Sequence, residues 1–222
     1  FLKELIEEGK LGEIYAARCG WRRRRGIPGK GGWFTTKSKS GGGPLIDLGV
    51  HMIDLAIWLM GNPVPVSVVG STYTKFADND SEATSEHAEF GEKENEGIFD
   101  VEDLAMGFIK FDNGSCLSIE FSWASNIEEE DRFVELMGTK AGSSWHSYDE
   151  KLKIFGEING KTFDQIPNIE EGKNIHGEHL NHFAECILDG AEPIFTPEQG
   201  INMIKILTSI YESARTGKEV QL

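Results

Sequence analysis

Apolar side chains recur every three to four residues in four stretches of the chain, and this spacing predicts four amphipathic helices. The first ends at Gly9, and the second has Pro44 in its first turn and ends at Gly61. The third ends at Gly190, and the fourth begins after Thr196, a typical N-cap residue. The predicted helices cover residues 1–9, 44–61, 177–190 and 196–217.

Between these helices, runs rich in β-branched and aromatic residues predict strands separated by turns. Asn113-Gly114 lies between two alternating runs and is a strong hairpin signal, and Asn159-Gly160 indicates a second hairpin. The acidic stretch 77–97 is poor in apolar residues and predicts a surface loop. The predicted strands cover 13–23, 65–76, 101–111, 115–123, 132–138, 151–158 and 161–166, with a terminal strand in the tail 218–222.

Strands joined by hairpins, with helices grouped before and after them, predict an α+β fold. We expect a predominantly antiparallel open sheet with helices packed on one face, built as a single domain over residues 1–222. Because so few helices cannot hide both faces of the sheet, we also expect a homo-oligomer that forms through the exposed face. The chain has no G-x-G-x-x-G motif and no regular strand–helix alternation, so it is expected to contain no dinucleotide-binding residues.

Charge and cysteine content narrow the function classes. The formal net charge of −15 argues against a nucleic-acid partner, which needs basic patches. Three widely separated cysteines fit neither a disulfide framework nor a zinc knuckle, which favours a reducing compartment and predicts a cytoplasmic protein. The apolar run 44–60 contains three ionisable residues and is too short to cross a bilayer, so no membrane partner is expected.

Those three ionisable residues are the first candidates for chemistry. Asp47, His51 and Asp54 are spaced i, i+4 and i+7, which places them on one stripe of an ideal helix, away from the leucines. Such a pair of aspartate and histidine is more often structural, because buried charges need partners. The glycines that precede it, Gly41 to Gly43, allow close approach of a ligand to the backbone and to the helix N-terminus, which favours a functional site.

The quoted stretch GGGPLIDLGVHMIDLAIWLMG, residues 41–61, resembles the G-G-G-x-x-x-D-x-G-x-H-x-x-D motif of the glucose–fructose oxidoreductase / inositol dehydrogenase (Gfo/Idh/MocA) family. Weaker resemblances follow in the family's order: EEGKLGEI before the first strand, the hairpin 101–123, LMGTKAG at 136–142 and the C-terminal 189–222. The resemblance implies the second domain of a two-domain, nicotinamide-dependent oxidoreductase. Its first, Rossmann domain is missing from this chain.

The resemblance also implies roles for two residues. His51 would be the acid/base for the substrate hydroxyl, and Asp47 would orient His51 or bind a neighbouring hydroxyl. This is chemically sensible, since imidazole titrates near neutrality. The family's catalytic lysine belongs to an E-K-P motif that does not occur here, so the chain alone is expected to be inactive. NAD or NADP would bind the missing domain.

Further substrate-binding candidates lie near the motif or late in the chain. Arg25, Trp33 and Lys37, in the loop before the helix, are expected to share a cavity with Asp47 and His51, with Trp33 stacking on a sugar face. A plain surface loop anchored by the tryptophan is an equally weighted interpretation. Among His176, His179 and His182, the three-residue spacing fans too widely for one metal ion, so no metal site is predicted. His179 is instead a candidate substrate contact.

Three functions are therefore open. The leading interpretation is the substrate-binding and catalytic-histidine domain of an NAD(P)-dependent oxidoreductase that transfers a hydride from a sugar, polyol or related compound. A second is a metal-dependent sugar lyase or isomerase with Asp47, His51 and His179 as ligands. A third is a non-catalytic sugar-binding or dimerisation module.

Overall fold

A computed structural model describes residues 1–79, 82–169 and 175–222 of the chain. The helices are α1 (Leu2–Glu7), α2 (Lys37–Ser40), α3 (Val50–Leu59), α4 (Ile175–Leu188) and α5 (Pro197–Thr216). A π-helical turn, Leu45–Gly49, leads directly into α3. The strands are β1 (Ile14–Arg22), β2 (Pro65–Tyr73), β3 (Leu104–Phe111), β4 (Cys116–Ser122), β5 (Asp131–Gly138), β6 (Ala141–His146), β7 (Leu152–Ile158), β8 (Lys161–Gln165) and β9 (Val220–Gln221).

The described strands form one open sheet in the order β8-β7-β6-β5-β1-β4-β3-β2-β9. Neighbouring strands pair antiparallel except β1 and β4, which pair parallel. Both predicted hairpins are present, and Gly114, Asn159 and Gly160 adopt the positive φ angles that such tight turns need. The predicted α+β class with a mainly antiparallel open sheet is thus confirmed.

The core lies between one face of the sheet and the helices α3 and α5. Glycines on that face let the helices approach closely: a Cβ at Gly70 would lie 2.7 Å from a methyl carbon of Ile210 in α5. On the α3 side, a Cβ at Gly49 would lie 3.1 Å from the ring of Phe121. Phe121 and Ile210 are both fully buried, so this contact surface forms the centre of the domain.

The opposite face of the sheet carries few covering groups and has two different halves. On β2 and β3 it exposes apolar side chains, among them Val69 and Met106. On β1, β5 and β6 it is ionic: Arg18 pairs with Glu135 at 3.1 Å, and His146 lies 2.7 Å from Asp131. One exposed face was predicted, but this mixture was not.

Two sequence predictions needed adjustment. β6 was not predicted, because its sequence AGSSWH lacks the alternation and the β-branched residues that indicate a strand. The stretch Lys37–Leu59 is long and apolar enough to cross a membrane by length and composition alone. However, over half of its most apolar window is buried in the domain, and Gly41 interrupts it in a left-handed conformation. It is therefore the core segment of a soluble α+β domain.

Candidate functional site

The helix start of the glycine–aspartate–histidine segment is already occupied by a carboxylate of the chain. Glu102, which precedes β3, accepts hydrogen bonds from the backbone amides of Gly43 at 3.0 Å and Leu45 at 3.1 Å. These are the amides that would otherwise bind an anion at a helix N-terminus. The prediction that this terminus faces a bound ligand was therefore wrong: the anion beside it is Glu102.

The same contacts explain the glycines. A Cβ at Gly43 would overlap the carbonyl oxygen of Glu102, and a Cβ at Gly42 would overlap the hydroxyl of Tyr211. Tyr211, from α5, donates its hydroxyl to Glu102 at 2.8 Å. Gly42 and Gly43 are therefore required by close packing inside the domain, and Gly41 ends α2 in the left-handed conformation.

Burial controls the ionisation of this cluster. Glu102 is only 6% exposed, and desolvation raises the pKa of its carboxyl group. The hydrogen bonds from Tyr211, Gly43 and Leu45 oppose that rise, because they stabilise the charged form. Burial also raises the pKa of Tyr211, and the nearby Glu102 charge adds to that shift.

Asp47 is held from the sheet side. The indole Nε1 of Trp123, just after β4, donates a hydrogen bond of 2.8 Å to Asp47 Oδ2, and Trp123 itself is fully buried. The guanidinium of Arg23 is 5% exposed and interacts electrostatically with Asp47. Burial lowers the pKa of Arg23, while the charges of Asp47 and Glu130 act in the opposite direction. Asp47 is thus a half-buried carboxylate with a fixed orientation.

The π-helical turn separates Asp47 from His51. Asp47 lies within Leu45–Gly49, whereas His51 lies in the first turn of α3. A π-helical hydrogen bond spans one residue more than an α-helical one, so the spacing of four does not repeat the face that an ideal α-helix would present. The predicted single stripe is therefore divided: Asp47 is half-buried, whereas His51 and Asp54 are exposed.

His51 and Asp54 line an open, mostly apolar groove of about 820 Å³ between α3 and α5. Phe195, Ile201 and Ile204 form much of its opposite wall. Desolvation raises the pKa of Asp54, and the proximity of His51 opposes this shift. The groove thus presents an imidazole and a carboxylate at the edge of an apolar surface.

The loop candidates lie in several places. Arg25 lines a different cavity, of about 620 Å³, where it stacks on Phe76 and bonds to Asn126 at 2.8 Å. Lys37 lies 5.8 Å from the ring of Tyr211, close to the helix start. Trp33 is 54% exposed and contacts Phe34 edge to face. Of the three, Lys37 is connected through Tyr211 to the segment that carries Asp47.

His179 lies on α4 with an exposed side chain. In the part of the chain that the structure describes, no group of three or more histidine, cysteine, aspartate or glutamate side chains is arranged to hold a metal ion. Asp47, His51 and His179 therefore do not form the ligand set that a metal-dependent lyase would use. No observation favours that alternative.

Sequence reasoning missed the residues that support Asp47. Trp123 was noted only as an aromatic residue of uncertain face, and Glu102 and Tyr211 were not singled out. A signal was present for Trp123, since it follows directly from a strand pattern that buries Phe121 on the same sheet. The contacts with Glu102 and Tyr211 join residues 59 and 109 positions apart, which no local pattern reveals.

Comparison with protein families matches residues 3–222 to the model described as "Oxidoreductase family, C-terminal alpha/beta domain" of Gfo/Idh/MocA proteins. The chain belongs to the Gfo/Idh/MocA oxidoreductase family. The resemblance carried by residues 41–61 is thereby confirmed for the family.

Relatives and solved structures agree with this assignment. The chain is 34% identical to D-glucoside 3-dehydrogenase of Escherichia coli (strain K12), over 100% of the chain and 60% of that protein. It is 28% identical to scyllo-inositol 2-dehydrogenase (NAD(+)) of Bacillus subtilis (strain 168), over 99% of the chain and 58% of that protein. Levoglucosan dehydrogenase in complex with NADH has the same fold, with a TM-score of 0.79 and 21% identity over 99% of this chain and 61% of its own. The chain thus spans about three fifths of these proteins.

Proposed function

We propose that this chain is the substrate-binding and proton-transferring domain of an NAD(P)-dependent oxidoreductase that acts on a sugar, polyol or related compound. The observation that carries the proposal is the arrangement of the motif. Trp123 fixes the carboxylate of Asp47, and four residues later His51 is exposed at the edge of an open groove. Family membership and the dehydrogenase names of the relatives support the reaction class.

The proposed chemistry of this chain concerns the proton. Oxidation of an alcohol removes a hydride from carbon and a proton from oxygen, and an exposed imidazole is suited to accept that proton. We assign this role to His51. Asp47, whose orientation Trp123 fixes, would bind a neighbouring substrate hydroxyl or orient His51. The two roles differ because one side chain is exposed and the other is anchored.

The hydride acceptor would be a nicotinamide cofactor, and the residues present do not fit a site for one. The chain has no glycine-rich loop between a strand and a helix, and Glu102 already takes the amides at the start of the motif helix. The solved complex of levoglucosan dehydrogenase contains NADH. We therefore assign cofactor binding to a Rossmann domain elsewhere in the same polypeptide, and we expect the isolated chain to bind neither NAD nor NADP.

The remaining substrate contacts and partners stay predictions. Arg25, Trp33, Lys37 and His179 are proposed as secondary contacts, and the cavity beside Arg25 is polar enough for hydroxyl groups. A homo-oligomer through the open sheet face is proposed from the exposed Val69 and Met106. The free cysteines are compatible with the proposed cytoplasmic location.

The test of the proposed function is a reductase assay on the complete polypeptide that contains this chain. NAD⁺ or NADP⁺ is offered with D-glucosides, inositols, D-xylose and levoglucosan, the compound classes in the relatives' names. We expect at least one of these compounds to reduce one of the cofactors. A folded complete protein that reduces neither cofactor with any compound would contradict the proposal.

A further inference from the structure

Helix α4 is amphipathic, yet nothing in the domain covers its apolar side. Leu180, Phe183 and Ile187 are spaced to share one face of the helix, and they are 68%, 63% and 66% exposed. Within the described side chains of this helix, residues 176–188, none is buried. A 14-residue helix is marginally stable without a packing partner, so this apolar face requires one.

A second exposed apolar surface begins seven residues after α4. Phe195, Ile201 and Ile204 are 54%, 56% and 61% exposed and line the groove that also contains His51 and Asp54. Soluble proteins seldom leave such groups of large apolar side chains open, and those that do usually bind something there. We refer to these six residues, three on α4 and three on the groove, as the α4–α5 surface.

We propose that the α4–α5 surface is the docking site for the cofactor-binding domain of the same polypeptide. The chain matches only the C-terminal domain of its family and covers 60% of D-glucoside 3-dehydrogenase, which leaves 40% of that relative outside the match. A domain joined to this one by the backbone has a high effective concentration, so it can occupy the surface without a large affinity.

The position of His51 identifies that domain as the occupant rather than a second copy of this chain. The inference rests on the proposed function, in which a substrate carbon must meet the nicotinamide while its hydroxyl meets His51. Reacting atoms approach within about 3–3.5 Å, so the cofactor-carrying domain has to reach the groove that His51 lines. A second copy has a separate surface available on the open face of the sheet.

The test measures amide hydrogen exchange in α4, using the complete polypeptide and this 222-residue chain. We expect the α4 amides to exchange roughly 100-fold more slowly in the complete polypeptide, because docking suppresses local opening of the helix. In that polypeptide, Phe183→Asp should abolish the added protection. Asn181→Asp, which adds the same charge on the side of α4 away from Phe183, should preserve it. Unchanged exchange in the β-sheet amides shows that each variant is folded.

Three results would overturn the proposal. Equally fast exchange of α4 in both proteins would mean that no domain covers it. Protection in the 222-residue chain that rises with its concentration would mean that a second copy is the occupant. Protection in that chain at every dilution would mean that α4 packs onto its own domain.

The reductase assay on the same preparation separates this inference from the proposed function. An active protein with unprotected α4 contradicts only the docking site. A protein with protected α4 and no activity contradicts only the proposed reaction.

Discussion

The two halves of the segment 41–61 have opposite relations to the rest of the domain. In the first half, the backbone amides of Gly43 and Leu45 bind Glu102, and Asp47 binds Trp123, all within the protein. In the second half, His51 and Asp54 are exposed on a groove. The comparison teaches that one motif combines a packed anchor with an accessible side chain, so its conserved-looking residues need not share one role.

The largest effect should come from filling the space at the anchor. Gly43→Ala places a methyl group onto the carbonyl oxygen of Glu102, so backbone must move, and we expect a loss of about 3 kcal/mol in the free energy of unfolding. Denaturant unfolding measures it. Gly200→Ala is the control, because its Cβ meets only the end of the exposed Phe195 ring; it should be neutral or slightly stabilising. Equal stability of the two variants would contradict tight packing at Gly43.

The hydrogen bond to Asp47 should have the next largest effect. Trp123→Phe removes the Nε1 donor and leaves a half-buried carboxylate without that partner, so we expect a loss of about 1.5–3 kcal/mol. The matched control is Trp33→Phe, at an exposed tryptophan, which should change stability by about 0.5 kcal/mol or less. If the two substitutions cost the same, the Trp123–Asp47 bond does not anchor the motif.

Tyr211→Phe tests the partner of Glu102 on the helix side. Loss of the hydroxyl should cost about 1–2 kcal/mol, since it removes one donor from a buried carboxylate. Tyr15→Phe is the control, because Tyr15 is 51% exposed. Thermal unfolding of both variants at neutral pH gives the comparison, and a Tyr211→Phe protein as stable as Tyr15→Phe would refute the assigned contact.

The raised pKa of Glu102 makes a prediction about pH. The folded protein holds this proton more tightly than the unfolded chain, whose glutamate has the ordinary pKa of 4.5. The contribution of Glu102 to stability is therefore largest below pH 4.5 and is lost as pH rises through the raised folded value. Glu102→Gln should remove this decline from the pH dependence of unfolding. An identical pH profile in the wild type and the variant would contradict the assignment.

The smallest stability effect is expected at the exposed half. His51→Ala removes an exposed side chain outside the core, so the free energy of unfolding should change by about 0.5 kcal/mol or less. Asp54→Asn, at the neighbouring exposed carboxylate, provides a second measurement on the same helix. A loss above about 2 kcal/mol in His51→Ala would show that the histidine is structural.

Local patterns predicted most of the fold. The hairpins at Asn113-Gly114 and Asn159-Gly160, the capping of α5 by Thr196 and the uncovered sheet face all depend on residues close in sequence or on simple counting. β6 escaped prediction because its short, small and polar residues carry no period. The parallel pairing of β1 with β4 joins strands about a hundred residues apart, so alternation within either strand cannot indicate it.

The candidate site was predicted in part. The residue types and spacing selected Asp47 and His51, but not the separation between them, because an ideal α-helix was assumed where the chain forms a π-helical turn. The interpretation of the glycines failed for a similar reason. Their close neighbours, Glu102 and Tyr211, come from distant parts of the sequence, and only the folded chain brings them to Gly42 and Gly43.

The central claim is that the exposed half of the segment carries the chemistry that the buried half positions. The most direct test is the turnover number of His51→Ala in the complete polypeptide, measured with the best substrate beside its unfolding midpoint. We predict a fall of roughly 10²–10⁴-fold with an unchanged midpoint, the usual effect of removing a positioned acid/base. Wild-type turnover in this variant would contradict the account.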